Sequence, residues 1–528
     1  MRAPTRPSRP RQRGSGAPDD GQQRGAGVLD DQPPVEQAAD GPRDPGDAEP
    51  ARGLGWLTLP RLWVVVALGS IGVMQLSVTP SAIDLAYHIR AGELMVRAHA
   101  VLRTDVFAWT TAGQAWLDQN WGAQVVLYGL WRLGGFPLIV VVNALVTVAS
   151  WGLVILACRE RTRNLRVIAG AALVGYLGSL FIFSARPQMF SVLLFAAELY
   201  LLELARRRPW ALAAMPLLMV VWANVHGAFI VGLGLVGVEA VVALCRRDRR
   251  TAARLVLAAA AGAAALLANP WGVGVLRYAV GLPSNPDVTA RVTEWAAPTA
   301  RDPAGAGFFV ALAVLVIVLV RTGVPARAAD QVARIVPLTA LTLWTLRAGL
   351  WWGLALPLVL ASLAREREPR PAAADRGTPL LTGSILLLLA AAVVVVAPGT
   401  RSVLLPGAHS ASRLAVAPAV AADWLAAHPQ PGRMLNYQPW GSYLEFRLGP
   451  AVKPAVDSRI ELIPSKFWRD YHAITRGRWD VQRLLAAHDI SYVVTDARKT
   501  PELVADLAAS DQWRLAFSSR DERVYVRR

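Results

Sequence analysis

Long apolar runs, nearly free of charge and closed on alternate ends by arginines, dominate residues 61–397. As helices, runs of about fifteen to twenty apolar residues fill most or all of a ~30 Å hydrocarbon core. They occupy 61–79, 137–157, 166–184, 188–205, 211–224, 227–245, 252–268, 305–320, 332–346, 349–363 and 380–397. Hydropathy therefore predicts a mainly α, polytopic transmembrane helical bundle of about eleven spans. Composition agrees: 18% of the residues are charged, where a soluble chain has roughly 25%.

The loops carry the orientation. Arg159, Arg161, Arg163 and Arg166 follow the second run, Arg206, Arg207 and Arg208 the fourth, and Arg246, Arg247, Arg249 and Arg250 the sixth. Arg321 and Arg327 follow the eighth, and Arg365, Arg367 and Arg370 the tenth. Cytoplasmic loops of membrane proteins collect such charge. The pattern predicts an inner (plasma) membrane protein with a cytoplasmic N-terminus. The loop 80–136, the turns near Arg186, His226 and Asn269, and the tail from residue 399 onward are then extracytoplasmic. This placement also accounts for the net charge of +17. No zinc-finger spacing or RNA-binding aromatic signature accompanies the arginines, so nucleic acid is not an expected partner.

Residues 1–55 are rich in Pro, Gly, Asp, Gln and Arg. Such a stretch buries too little apolar surface to offset its chain entropy and is expected to be a disordered cytoplasmic tail. No cleavable signal peptide is expected, because no Ala-x-Ala-like site follows the first apolar run. Residues 56–398 form the membrane domain. Residues 399–528 read as a small α/β domain, with helices at Ala419–His428, Asp480–His488 and Glu502–Ala509. Strands are expected at Arg433–Asn436, Tyr492–Thr495, Trp513–Ser518 and Arg523–Val526. Cys158 and Cys245 lie beside Arg159 and Arg246 and are expected to be reduced, with no metal site built from them.

Polar residues that bear chemistry gather in the outer-facing loops. The first contains Asp84, then His88 four residues later, on one face of a helix. Two readings stand: a carboxylate at the interface acting as a base, or Asp84 capping a helix over 85–98 with His88 packed beside it. Further along come Asp105, Arg186-Pro187-Gln188, the break Trp222-Ala223-Asn224-Val225-His226-Gly227, Asn269-Pro270-Trp271-Gly272, Glu294 and Arg347. Charges between apolar spans are costly and face a partner or a watery cavity. Their convergence on one side gives carboxylates, imidazoles and guanidinium groups suited to a phosphate-bearing substrate. Asp457 and Arg459 are expected to form a local salt link in the tail.

These segments, from Asp84…His88…Gly92…Asp105…Phe107…Trp116…Trp121 to Trp440-Gly441-Ser442-Tyr443-Leu444 and Val456-Asp457-Ser458-Arg459, resemble a bacterial family of membrane proteins. That family is placed near the GT-C glycosyltransferases, with the protein O-mannosyltransferases and lipid A aminoarabinose transferases. The resemblance runs over most of residues 60–528 and implies a GT-C-like bundle with a C-terminal extracytoplasmic α/β domain. It implies transfer of a sugar from a polyprenyl-phosphate-linked donor, held in membrane lipid, to an extracytoplasmic acceptor. By the family pattern Asp84 is the catalytic base and Asp105 a second acidic position. His88, Arg186, Asn224, His226, Glu294 and Arg347 are then the substrate-binding candidates. Mannosyltransferase-type members often carry paired acids where this chain has Ile83-Asp84-Leu85. A divalent metal is compatible with the family, but no metal ligand set is legible.

Other classes compete. A transporter or flippase of lipid-linked or small polar substrates would show internal repeats and midplane charges; no repeat is evident and the polar groups sit at the span ends. A non-catalytic envelope scaffold is the third reading, kept open by the unpaired acid. No Gly-rich phosphate loop or Asp-x-Asp suggests a sugar nucleotide, and no nucleophile elbow suggests a hydrolase.

Overall fold

The computed structural model describes residues 57–179, 184–364, 378–400, 414–478 and 480–528. The expected tail over 1–55 and the cluster Arg365, Arg367 and Arg370 lie outside these residues. Each of the eleven apolar runs falls on a helix. The first is α1 (Leu59–Ser77), and α2 (Ala82–Ala98) lies within the first loop. Then come α3 (Trp121–Arg159), α4 (Leu165–Leu177), α5 (Gln188–Ala205), α6 (Met215–Val225), α7 (Phe229–Cys245) and α8 (Arg249–Ala265). Short helices α9 (Gly274–Gly281) and α10 (Pro286–Arg291) occupy the next long loop. The bundle ends with α11 (Pro303–Thr322), α12 (Ala329–Trp344), α13 (Gly349–Leu363) and α14 (Pro379–Val396). Among the described residues, 6 helical segments are long and apolar enough to cross a membrane, those of α1, α3, α5, α11, α13 and α14. The others are shorter, and the protein is a multi-pass membrane protein.

Local chemistry sets the helix ends. Ser81 caps α2 by accepting from the Ile83 N–H, and Asn164 and Asp302 do the same for α4 and α11. The reading of Asp84 as a cap is thus corrected: the cap lies three residues earlier, and Asp84 is free to point elsewhere from the first turn. In α3, Gly134 and Gly135 leave the helical region, Gly135 with φ 63°, and Pro137 restarts it. This kink divides an entrance segment from the apolar span, at the boundary that hydropathy places at residue 137.

Every residue of α13 is buried, so it forms the bundle's centre. It lies tightly on α4: a Cβ at Gly353 would stand 2.7 Å from the Gly175 carbonyl oxygen. Small residues allow such an approach where lipid supplies no hydrophobic drive to associate. At the edge, α14 exposes Leu380, Leu387 and Leu388, a surface suited to lipid tails.

The arginine-rich loops meet at one end of the bundle. Arg161 pairs with Glu203 and lies 2.5 Å from Asp330, Arg206 is 2.6 Å from Asp330, and Arg334 bridges Glu203 at 3.0 Å and Glu239 at 2.7 Å. The buried acids and cations satisfy one another, as charges out of water must.

The tail folds around a four-stranded sheet of order β1-β2-β4-β3. β1 (Arg433–Asn436) runs parallel to β2 (Ile490–Asp496), and β4 (Glu522–Arg527) pairs antiparallel with β2 and with β3 (Trp513–Ser519). Helices Ala419–Ala427, Val481–Ala487 and Pro501–Ala509 stand where the sequence places them. Helices Gly441–Leu448 and Ser465–Thr475 are additional; the second buries Phe467, Trp468, Tyr471 and Ile474, a helical period.

The tail is docked on the first loop. The Ala82 N–H donates to the Ala415 carbonyl and the Ala415 N–H to that of Pro80, both at 2.9 Å. The Trp109 indole donates to the Met434 carbonyl at 2.9 Å and the Thr110 hydroxyl to that of Ala455 at 2.6 Å. Trp109, Leu282 and Trp295 pack against the core of the tail, so membrane loops and sheet share one apolar cluster.

Candidate functional site

At the end of the bundle covered by the tail, four charged side chains from four loops form a chain. Arg186 Nη1 lies 3.0 Å from Asp84 Oδ2, and Arg186 Nη2 lies 2.5 Å from Glu294 Oε1. Arg347 Nη1 is 3.4 Å from Glu294 Oε2. Asp84 and Glu294 keep side-chain exposures of 30% and 29%, against 16% for Arg186. The two carboxylates thus face solvent while the cation behind them is held in place.

Backbone breaks aim these groups. Pro187 ends the turn after Ser184 and starts α5, which sets Arg186 at the helix entrance. Between α12 and α13 the chain leaves the helix at Thr345, and Leu346 donates to the Ala296 carbonyl at 2.9 Å. The Thr345 hydroxyl donates to the Glu294 carbonyl at 3.0 Å. These two bonds sew the Glu294 loop to Arg347, whose guanidinium lies 5.5 Å from the centre of the Trp295 ring.

Arg347 and Trp295 line a cavity of about 220 Å³ with Gln119, His226, Trp344 and Trp351. His226 sits in extended backbone just past α6. Its Nδ1 accepts from the Ala228 N–H at 3.3 Å and contacts the Ser191 hydroxyl at 2.8 Å. The Trp222 indole in turn donates to Ser191 at 2.6 Å.

The remaining sequence candidates have other surroundings. Asn224 accepts from the Trp121 indole at 2.9 Å and donates to the Ala268 carbonyl at 2.8 Å, so it ties three turns together. His88 is buried, 3.1 Å from Gln124. Burial first, and the Arg186 charge second, lower its pKa well below the usual imidazole value. His88 is therefore neutral at physiological pH and offers no charge to a phosphate.

Asp105 belongs to a different centre. It accepts from the Phe107 N–H at 2.9 Å and from Thr111, and pairs at 2.6 Å with Arg459. Burial pushes its carboxyl up, but Arg459 outweighs this and holds the pKa below the usual value. The expected Asp457–Arg459 link forms, yet it is not merely local. Arg459 reaches from the tail to the first loop, enclosed by the rings of Phe107 at 4.6 Å and Trp116 at 4.8 Å. The spacing Asp-x-Arg gives the local pair, and nothing in it announces the distant third member.

Sequence reasoning also passed over a polar group next to the cavity. Asp118 accepts from the Gln124 amide at 2.9 Å, and the Tyr278 hydroxyl donates to Glu461 at 2.8 Å. The available signal was Asp118-Gln119-Asn120, an all-polar run between Trp116 and Trp121. Burial raises the Asp118 pKa to about 7 and also raises that of Glu461. Among the described residues no group of three or more His, Cys, Asp or Glu converges as a metal site.

The Asp118 shift has a thermodynamic consequence. Between the unfolded carboxyl value near 3.9 and about 7, the folded state holds a proton that the unfolded state has released. Its contribution to stability is complete below that window and is lost as pH rises through it. Thermal unfolding of the purified protein should fall between pH 5 and pH 8. Asp118→Asn should flatten the decline by a midpoint difference of ~2–4 °C. An unchanged slope in the variant would place the ionised form of Asp118 in the folded state.

No known protein-family profile and no curated protein matches the sequence. Solved structures do match. The oligosaccharyltransferase of Archaeoglobus fulgidus, solved with a tethered acceptor peptide, is 12% identical; the match covers 83% of this chain and 69% of that one, with a TM-score of 0.51. ArnT from Cupriavidus metallidurans bound to undecaprenyl phosphate is 15% identical, over 90% of this chain and 98% of that one, at 0.49. The mycobacterial arabinofuranosyltransferase AftD is 18% identical, over 88% and 40%, at 0.48. The chain has a GT-C-like fold, shared with the archaeal oligosaccharyltransferase, and consists of a multi-pass helical bundle carrying a small C-terminal sheet.

Proposed function

We propose that the protein is a membrane glycosyltransferase that moves a sugar from a polyprenyl-phosphate donor to an extracytoplasmic acceptor. The observation that carries this reading is the Asp84–Arg186–Glu294–Arg347 chain beside an aromatic-lined cavity. Two cations and two carboxylates there balance one another. A donor phosphate entering beside Arg347 and Arg186 brings negative charge that competes with Asp84 and Glu294 for the guanidinium groups. Released from Arg186, Asp84 is a free base at the end of the ion chain that Arg347 joins to the cavity.

The chemistry follows from those groups. Asp84 takes the proton of an acceptor hydroxyl or amine as its lone pair attacks the anomeric carbon. The bond from that carbon to the phosphate oxygen breaks, and the polyprenyl phosphate departs with the electron pair. Arg186 and Arg347 stabilise the charge that grows on the leaving oxygen. In this reading Asp105 holds the first loop to the tail and is not a second catalytic acid. His226 lines the cavity, Asn224 ties the neighbouring turns together, and His88 supports the loop through Gln124. The sidedness of the site rests on the arginine pattern of the opposite loops.

The reading is tested by ligand stabilisation. Polyprenyl phosphate should raise the unfolding temperature of the purified protein in nanodiscs, as any ligand selective for the native state does. Arg347→Ala should weaken that binding ~10- to 100-fold, the loss of one charge-assisted contact. Equal stabilisation by polyprenyl phosphate and by the neutral polyprenol would count against a phosphate site.

A further inference from the structure

Residues 118–124 concentrate buried polar side-chain atoms that lack a hydrogen-bond partner. Asp118 Oδ2, Gln119 Oε1, Asn120 Oδ1 and Gln124 Oε1 are closed off and have no hydrogen-bond partner among the described residues. Each such atom costs about 1–3 kcal/mol if left unsatisfied. Folded proteins hold only a few of them per hundred residues. Four within seven residues, from the turn 118–120 into the start of α3, ask for a ligand that brings hydroxyl groups.

The turn is not loosely placed. The Trp121 indole donates to Asn224 at 2.9 Å, and a Cβ on Gly122 would stand 2.7 Å from the Asn224 carbonyl oxygen. The Gln119 amide lies against Gly227, where a Cβ would overlap it. The Gln124 amide is fixed by donating to Asp118 at 2.9 Å and by its contact with His88 at 3.1 Å, so its open atom is the carbonyl oxygen. Gln119 itself lines the cavity shared with Trp295, His226 and Arg347. A firmly placed group of unpartnered polar atoms therefore stands behind Gln119, which is part of the wall of the space where the donor's headgroup belongs.

We propose that Gln119, backed by Asp118 and Gln124, is the subsite for the sugar ring of the donor, accepting its hydroxyl protons while the phosphate lies at Arg186 and Arg347. This rests on the donor reading above and adds the part of the site that recognises the saccharide. An amide both accepts and donates, so Gln119 suits a ring hydroxyl, which does the same. Trp295 adds an apolar ring face to the same cavity, fitting the C–H face of a sugar. A site with buried polar groups built for hydroxyls discriminates strongly against a ligand that lacks them.

The test is equilibrium binding to the full chain in nanodiscs, with polyprenyl phosphate and a panel of polyprenyl-phosphate hexoses and pentoses as probes. Gln119→Ala removes the amide, and Gly227→Ala displaces it without deleting a polar group. Each should leave the affinity for polyprenyl phosphate unchanged and weaken the best sugar-bearing lipid ~10- to 100-fold. Unchanged polyprenyl phosphate binding also shows that the variants are folded. The subsite is overturned if both variants bind the sugar-bearing lipids like wild type, or if both probes weaken equally. Should wild type bind neither probe, the donor reading itself fails, a result distinct from either of these.

Discussion

Asp84→Asn is expected to lower sugar transfer by ~10²- to 10⁴-fold at equal protein level, the usual contribution of a positioned base. The substitution keeps the size of the side chain and one oxygen for Arg186, and removes the capacity to take a proton. Glu294 still holds Arg186 from its other side, so the cation stays where the leaving phosphate needs it. The loss should therefore appear in kcat, with donor binding retained or tightened, because one competitor for Arg186 has lost its charge. A fall in donor affinity with kcat unchanged would make Asp84 a binding group. Full activity in the variant would move the base elsewhere.

Arg459→Met should destabilise the protein by about 3–5 kcal/mol, the cost of removing one partner from a buried ion pair. Arg459 is 2% exposed in its side chain and stands between Asp105 and Asp457, whose side chains are 0% and 2% exposed. Methionine fills much of the volume but leaves two carboxylates facing each other in an aromatic cage. The loop and the tail would be the first parts to separate. Limited proteolysis in the first loop and the loss of the upper part of the thermal transition report that event. Adding Asp105→Asn and Asp457→Asn to the variant should recover part of the loss, since replacing a whole buried ionic group is far milder than breaking it. A melting temperature equal to wild type in Arg459→Met would show that the triad contributes nothing to docking.

The bundle was legible because a membrane span leaves a one-dimensional trace. Apolar length and flanking arginines locate α1, α3 to α8 and α11 to α14, while the loop helices α9 and α10 leave no such trace, and Gly134, Gly135 and Pro137 mark where α3 bends. In the tail β2, β3 and β4 carry β-branched and aromatic residues, and β1 lies at Arg433–Asn436 as the sequence predicts. Asp84, Arg186, Glu294 and Arg347 were legible as a group because each is a charge that apolar surroundings tolerate only with a partner, and all four lie on loops of one parity. Which atom meets which was not. Arg90 meets Glu445 at 3.4 Å, and Arg459 meets Asp105 at 2.6 Å, across most of the chain's length. Such pairs follow from how the tail sits on the loop, and no local period encodes that. The acceptors of the 118–124 turn were hidden for a different reason: their meaning comes from being buried without partners, which only the fold decides.

The decisive measurement is transfer of radiolabelled sugar by the purified wild-type protein in proteoliposomes, across a panel of polyprenyl-phosphate sugars and an extract of cell-envelope acceptors. The proposed function predicts label moving from at least one donor to an acceptor, with polyprenyl phosphate released in equal amount and both products absent in Asp84→Asn. No transfer from any donor, with the lipid-linked sugars instead carried intact across the bilayer, would contradict it and make the bundle a transporter.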